Sequence, residues 1–307
     1  MSAAPNEWPS LPYPEWAETK KTVQLYSQML GKTRLALSPV QPQWLGASLD
    51  VTARGLTTGA MVWGTSSVEV SLDFTTNELH VSTSEGDSAT IPLIPEKSVA
   101  TVFRTLRDIY NEFGIDVDIW DKPQELDDTT PFSDDDRHAT YDPDAVHRWW
   151  TVVSAVRNVF DEWRSPFFGR SHIVFWWGAF DIAVLRFNGN HAQAPDDRGY
   201  IMRYDLDAEF MNAGFWPGDD GSPNPVFYAY IDPKPEDCEL APINAEGAAW
   251  IEQMGEWVLP YDVALACPDP REELFAFLDS VYSIAGSHAG WDLDRFTYTP
   301  PVPPTRT

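Results

Sequence analysis

One order of patterns runs through the chain twice, and that recurrence restricts the available folds more than any other feature. The first pass opens with Trp16, Val23, Tyr26 and Leu30 at helical spacing, with Gly31 as the expected stop. Leu45, Ala47, Leu49, Val51 and Ala53 then alternate with polar residues, which predicts a strand with one buried face. Further β-like runs at 68–74, 79–83 and 90–94 are separated by turn residues and read as an antiparallel meander. A closing helix is predicted from Ser98 as N-cap, with a stripe of Val99, Val102, Phe103, Leu106, Ile109 and Tyr110 ending near Gly114.

The order restarts beyond an acidic, proline-containing stretch. Tyr141-Asp142-Pro143 opens a long helix with Trp149, Val152, Val153, Val156, Val159, Phe160 and Trp163 on its apolar face. Strand-like residues 173–187 follow, then a Gly/Pro/Asp-rich excursion, a strand near 226–231 and a helix near 271–285. Trp44, Gly46, Ala47 and Arg54 recur at identical spacing as Trp176, Gly178, Ala179 and Arg186. Phe103, Leu106, Tyr110 and Gly114 recur as Phe275, Leu278, Tyr282 and Gly286. The expected fold is therefore α+β, with two diverged helix–antiparallel strands–helix repeats packed about a pseudo-twofold axis and a cleft between them. The expected division is an N-terminal repeat at 1–125, an acidic linker at 126–140, a C-terminal repeat at 141–298 with an inserted loop at 189–225, and a Pro-rich tail at 299–307.

Charge narrows the partners. With 47 acidic against 21 basic residues the formal net charge is -26, so nucleic acid and anionic membrane are not expected to bind. Two cysteines without CxxC spacing, no basic-then-apolar leader in 1–8 and no run of 18 apolar residues make a cytoplasmic protein the expectation. The chain lacks GxSxG, a P-loop and GxGxxG. It also lacks HxH and HExxH, so neither a cofactor nor a metal is expected.

The candidate chemistry lies in the second half. The run 172–186 is apolar on both alternating faces, so the charged residues inside it, Asp181 and Arg186, need partners or a ligand. Five residues apart on a strand, they point to opposite faces and do not pair with each other. Asp181 is the expected acid/base, with His172 at the strand entrance as a second candidate. Arg54 and Arg186 are candidate anchors for an anionic substrate. Trp177, Phe215, Trp216, Tyr228 and Tyr230 are candidate ligand walls, the middle pair from the inserted loop. Asp219-Asp220 is a cation candidate without the ligand pattern of an EF-hand, and Glu256, Tyr261 and Asp262 gather at a strand-to-turn junction.

Several rare motifs stand in fixed order: Trp8-Pro9, Leu11-Pro12, Thr52-Ala53-Arg54-Gly55-Leu56-Thr57-Thr58, Trp177-Gly178 with Phe180-Asp181, Gly214-Phe215-Trp216-Pro217-Gly218 and Phe227-Tyr228-Ala229-Tyr230. On these the chain resembles a bacterial domain-of-unknown-function family across nearly its whole length. The resemblance implies no activity. It also places a His ahead of the Phe-x-Trp-Gly stretch where this chain has Val174, so no catalytic role carries over to that position. The leading expectation is a small-molecule enzyme using carboxylate acid/base chemistry in an aromatic cleft, with an anionic or aromatic ligand. A non-catalytic binding protein and a protein–protein interaction module are the alternatives.

Overall fold

A computed structural model describes residues 8–193 and 200–299, so residues 300–307 of the expected tail lie outside the described residues. Helix α1 (Ala17–Leu37) leads into β1 (Asp50–Val51), β2 (Gly55–Thr57), β3 (Met61–Trp63), β4 (Ser66–Asp73), β5 (Glu78–Thr83) and β6 (Ser88–Pro92), followed by α2 (Val99–Phe113). The second half runs α3 (Pro143–Arg164), β7 (Ser171–Trp176), β8 (Asp181–His191), α4 (Tyr200–Asp205), β9 (Ala208–Trp216), β10 (Val226–Asp232), β11 (Ala249–Ile251), β12 (Glu256–Pro260), α5 (Tyr261–Ala266) and α6 (Pro270–His288). The protein is thus α+β, with two antiparallel sheets. Strands β1-β2-β4-β5-β6 form one, with β3 also paired to β4; the other runs β7-β8-β9-β10-β12-β11.

Helix ends follow side-chain chemistry. Ser98 Oγ accepts the Thr101 N–H and Asp142 accepts the N–H groups of Asp144 and Ala145, each satisfying donors that a helix start leaves open. Gly114 closes α2 at φ 71°, a conformation that costs a glycine nothing.

One hydrophobic cluster runs unbroken from Val23 and Leu72 in the first half to Phe215 and Leu278 in the second. Trp149 on α3 is its hub. It stacks on Phe180 (4.8 Å, 18°) and meets Phe74 of the first half and Phe175 of the second edge-on. Leu49 and Phe175 also exchange backbone hydrogen bonds at 3.0 and 2.9 Å, a single bridge between the two sheets.

Four expectations need correction. Gly31 does not stop α1, which continues to Leu37; the glycine instead clears space for Trp177, since a Cβ there would lie 2.1 Å from its indole. The alternating run 45–53 is not one strand. A helical turn at Pro42–Trp44 precedes it, only Asp50–Val51 pairs, and Thr52 Oγ1 then turns the chain by accepting the Arg54 and Gly55 N–H groups. The run 173–187 is a hairpin, β7 and β8 joined by a turn with Phe180 at φ 67°, rather than one strand. The inserted loop 189–225 holds strand β9, so Phe215 and Trp216 are strand residues.

The acidic linker 126–140 is also built into the fold. Phe132 is fully buried against Phe103, and the carbonyls of Asp135 and His138 accept the first N–H groups of α2. Arg54 and Arg186, matched by spacing, occupy unlike places: a β1–β2 turn and the middle of β8.

Candidate functional site

The sheet β7–β12 has one face toward α3, α5 and α6 and one toward a cavity of about 700 Å³. Strand alternation decides which side chains face it. Asn212, Gly214 and Trp216 of β9 lie on the cavity face with Tyr228 and Tyr230 of β10 and Glu256 of β12. Phe215, Phe227 and Trp257, offset by one residue, lie in the core.

Asp181 begins β8 on the cavity face and is 5% exposed. Tyr228 Oη donates to its Oδ2, while its Oδ1 has no hydrogen-bond partner among the described residues. Tyr228 lies two strands away and reaches Asp181 across Gly214. A Cβ at Gly214 would sit 2.3 Å from the Tyr228 hydroxyl, so glycine is required for the contact. Burial pushes the Asp181 carboxyl up to about 7 against the Tyr228 hydrogen bond, and nearby Glu125 and Glu256 add to the rise. Burial and the Asp181 charge hold the Tyr228 hydroxyl well above its ordinary value.

Three further carboxyls line the cavity. Glu256 is pushed up to about 7 by burial. Asp205, at the end of α4, is also pushed up to about 7, by burial and then by Asp232, Asp207 and Glu125. Glu125 is raised by burial. It stands at φ 57°, a costly conformation for a side-chain-bearing residue, with its carboxylate over Gly178. A Cβ at Gly178 would come within 2.5 Å of that carboxylate.

The buried polar side of α1 holds the walls in place. Gln24 Nε2 donates to the Gly178 carbonyl at 2.6 Å. Gln28 makes paired 2.8 Å bonds with the backbone of Gln124, one donated and one accepted, and Lys32 donates to Gln124 Oε1 at 2.9 Å. Three residues at i, i+4 and i+8 thereby fix both 124–125 and the β7–β8 turn. Trp177 and Trp216 are oriented through their indole N–H groups, bonded to the carbonyls of Ala47 (2.8 Å) and Ala179 (3.2 Å).

Of the residues singled out from sequence, Asp181, Trp177, Trp216, Tyr228 and Tyr230 converge on this cavity. The other four do not. Phe215 packs against Phe227 and Tyr261 on the opposite face. Arg186 also faces the core, 3.2 Å above Trp163 and 4.6 Å from Tyr282, donating to the Trp163 carbonyl. Aromatic faces take up its charge although its Nε has no hydrogen-bond partner among the described residues, and burial pushes it down to about 10. Arg54 is exposed and paired with Asp73. His172 sits four residues before Trp176 on β7, about 13 Å along the strand, edge-on to Phe187 and 3.4 Å from Arg170. Asp219 folds its own turn by accepting the Gly221 and Ser222 N–H groups, and Asp220 binds Tyr13 and Lys21. Among the described residues no group of three or more His, Cys, Asp or Glu is arranged to hold a metal ion.

Sequence reasoning missed Glu125, Asp205 and Asn212, and met Glu256 only as part of a junction. The period-two registers 212/214/216 and 228/230 could have identified Asn212. Nothing local marks Glu125 or Asp205, which reach the cavity through the tertiary fold.

Fold and cavity together define an α+β protein whose second sheet floors an acidic, aromatic-walled pocket. The chain belongs to the family of unknown function DUF5996, whose model matches residues 8–298. No curated protein and no solved structure matches the chain.

Proposed function

We propose that the cavity binds a small organic molecule and that Asp181 exchanges a proton with it. The observation that carries this reading is a carboxyl buried at the cavity floor, with one oxygen held by Tyr228 and the other unpartnered. An unpartnered buried carboxyl oxygen is costly, and unlike the unpartnered core atoms of Trp149, Trp163 and Arg186 this one belongs to a residue that lines the cavity. Its elevated proton affinity suits acid and base roles alike at neutral pH. In this reading Oδ1 is the working oxygen, Tyr228 fixes the carboxyl plane, and the indoles of Trp177 and Trp216 sandwich or wall the ligand. The cytoplasm is the inferred compartment, in keeping with free Cys238 and Cys267; among the described residues no helix is long and apolar enough to cross a membrane.

A thermal-shift screen of a metabolite library against the native chain and Asp181→Asn tests the reading. A ligand that raises the native melting temperature, and raises that of the variant less, is the expected result. Every hit stabilising both chains equally, or no hit on the native chain, contradicts it. Conversion of the hit by the native chain and not by the variant is the expected second readout.

A further inference from the structure

The cavity combines converging carboxyls with aromatic walls, and among the described residues no Lys, Arg or His lines it. Glu125, Asp181, Asp205 and Glu256 all face the same hollow. Lys20 and Lys32 of α1 lie nearby but are occupied, Lys20 by Gln24 at 2.7 Å and Lys32 by Gln124, and neither lines the cavity. Two acceptor atoms are also unsatisfied, Asp181 Oδ1 and Asn212 Oδ1, both in residues more than nine-tenths buried. What the described lining lacks is therefore a positive charge to set against its carboxyls.

We propose that the occupant is an organic ammonium ion, its apolar body against the indole faces and its nitrogen among the four carboxyls. This deepens the reading of the site given above and rests on it. Carboxylates gathered around one hollow repel one another, and a bound positive charge relieves that repulsion while leaving them ionised, where protonation would neutralise them. A neutral polyol would meet the open acceptors while leaving the carboxylate charge unneutralised, and an anion would be opposed by all four groups. The faces of Trp176, Trp177, Trp216, Tyr228 and Tyr230 carry the negative quadrupole that attracts ammonium groups, most strongly when desolvated. Ammonium affinity rises from pH 6 to pH 8, because Asp181, Asp205 and Glu256, each pushed up to about 7, lose protons over that range while the ligand keeps its own. Lys20 and Lys32 behind the wall, pushed down to about 8 by burial, begin to lose their charge at the upper end and act in the same direction, and Tyr228 and Tyr230 stay protonated throughout.

Isothermal titration calorimetry on the full chain at pH 7.5 tests the proposal. Choline, 1,4-diaminobutane and 2-phenylethylamine are compared with their uncharged counterparts 3,3-dimethyl-1-butanol, 1,4-butanediol and 2-phenylethanol. At least one ammonium ion is expected to bind at least about tenfold more tightly than its counterpart, and Asp205→Asn and Glu256→Gln are each expected to weaken it about tenfold. Both variants remove a half-buried acid whose proton affinity is raised, so unchanged or raised melting temperatures show that folding is intact. No ammonium ion binding, equal binding of charged and uncharged partners, indifference to both substitutions, or affinity falling from pH 6 to pH 8 each overturns the proposal. A neutral or anionic ligand whose binding depends on Asp181 also overturns it, while leaving the site itself standing. Absence of any Asp181-dependent ligand removes both.

Discussion

Asp181 is a charged residue in the middle of an apolar run, and its environment is expected to appear in how stability changes with pH. Its folded-state proton affinity lies above the ordinary value of 3.8, at about 7, so the folded protein binds more protons than the unfolded chain between those limits. The stabilising contribution is complete below pH 4 and is lost as pH rises to 7. Asp181→Asn removes that dependence. The variant is expected to gain on the native chain by up to about 4 kcal/mol between pH 4 and pH 7, measured by denaturant unfolding. Gly214 is the complementary test. Gly214→Ala places a methyl group where the Tyr228 hydroxyl crosses, costing about 1–3 kcal/mol and abolishing Asp181-dependent ligand binding. Asp181 was legible in the sequence because a buried strand tolerates a carboxyl only for a reason. Arg186 attracted notice on the same grounds, but its partners, Trp163 and Tyr282, come from helices distant in sequence, and alternation alone cannot distinguish a ligand from an aromatic cage.

Among the elements, α1 does most to shape the cavity while presenting little of itself to it. Its buried polar residues would be unfavourable in an ordinary core helix; here they replace the backbone partners that 124–125 and the β7–β8 turn otherwise lack. Gln28→Leu is expected to strand both the Gln124 N–H and its carbonyl, costing about 2–4 kcal/mol. Loss of hydrogen-exchange protection at Gln124 would accompany it. Gly31→Ala should destabilise although alanine favours helix by about 1 kcal/mol, because the methyl displaces Trp177 and breaks its bond to the Ala47 carbonyl. A stabilised variant would contradict that packing. Helices α2, α3 and α6 were readable from stripes and caps, since those signals are local. The run 45–53 misled because its alternation satisfies a turn-rich stretch equally well: Trp44 adopts φ 53°, and Thr52 reverses the chain before a longer strand can form.

Across the whole molecule, α+β composition and antiparallel sheets followed from the sequence patterns. The first half runs helix, strands and helix, whereas the second places α4 among its strands and ends on α5 and α6; the sheets are connected differently, and one core unites them through Trp149. Long-range assembly of this kind, including the entry of Glu125 into a cavity floored by the other half, leaves no periodic trace. A chain whose main core spans both halves, with a smaller cluster around Phe187 and Phe210, should unfold in a single transition, with equal calorimetric and van't Hoff enthalpies. The segment 141–298 alone, deprived of the Phe74 contact to Trp149 and of α1, should show no cooperative transition. Independent melting of the two halves would contradict this. The reading of the cavity depends finally on a proton held at its floor. Carbon-13 NMR of the Asp181 carboxyl, followed from pH 3 to pH 9 and assigned with Asp181→Asn, should give a midpoint near 7 that falls when a bound ammonium ion occupies the site. A midpoint near 4 in the free protein would mean that Asp181 is an ordinary solvated carboxylate and that no such acid exists.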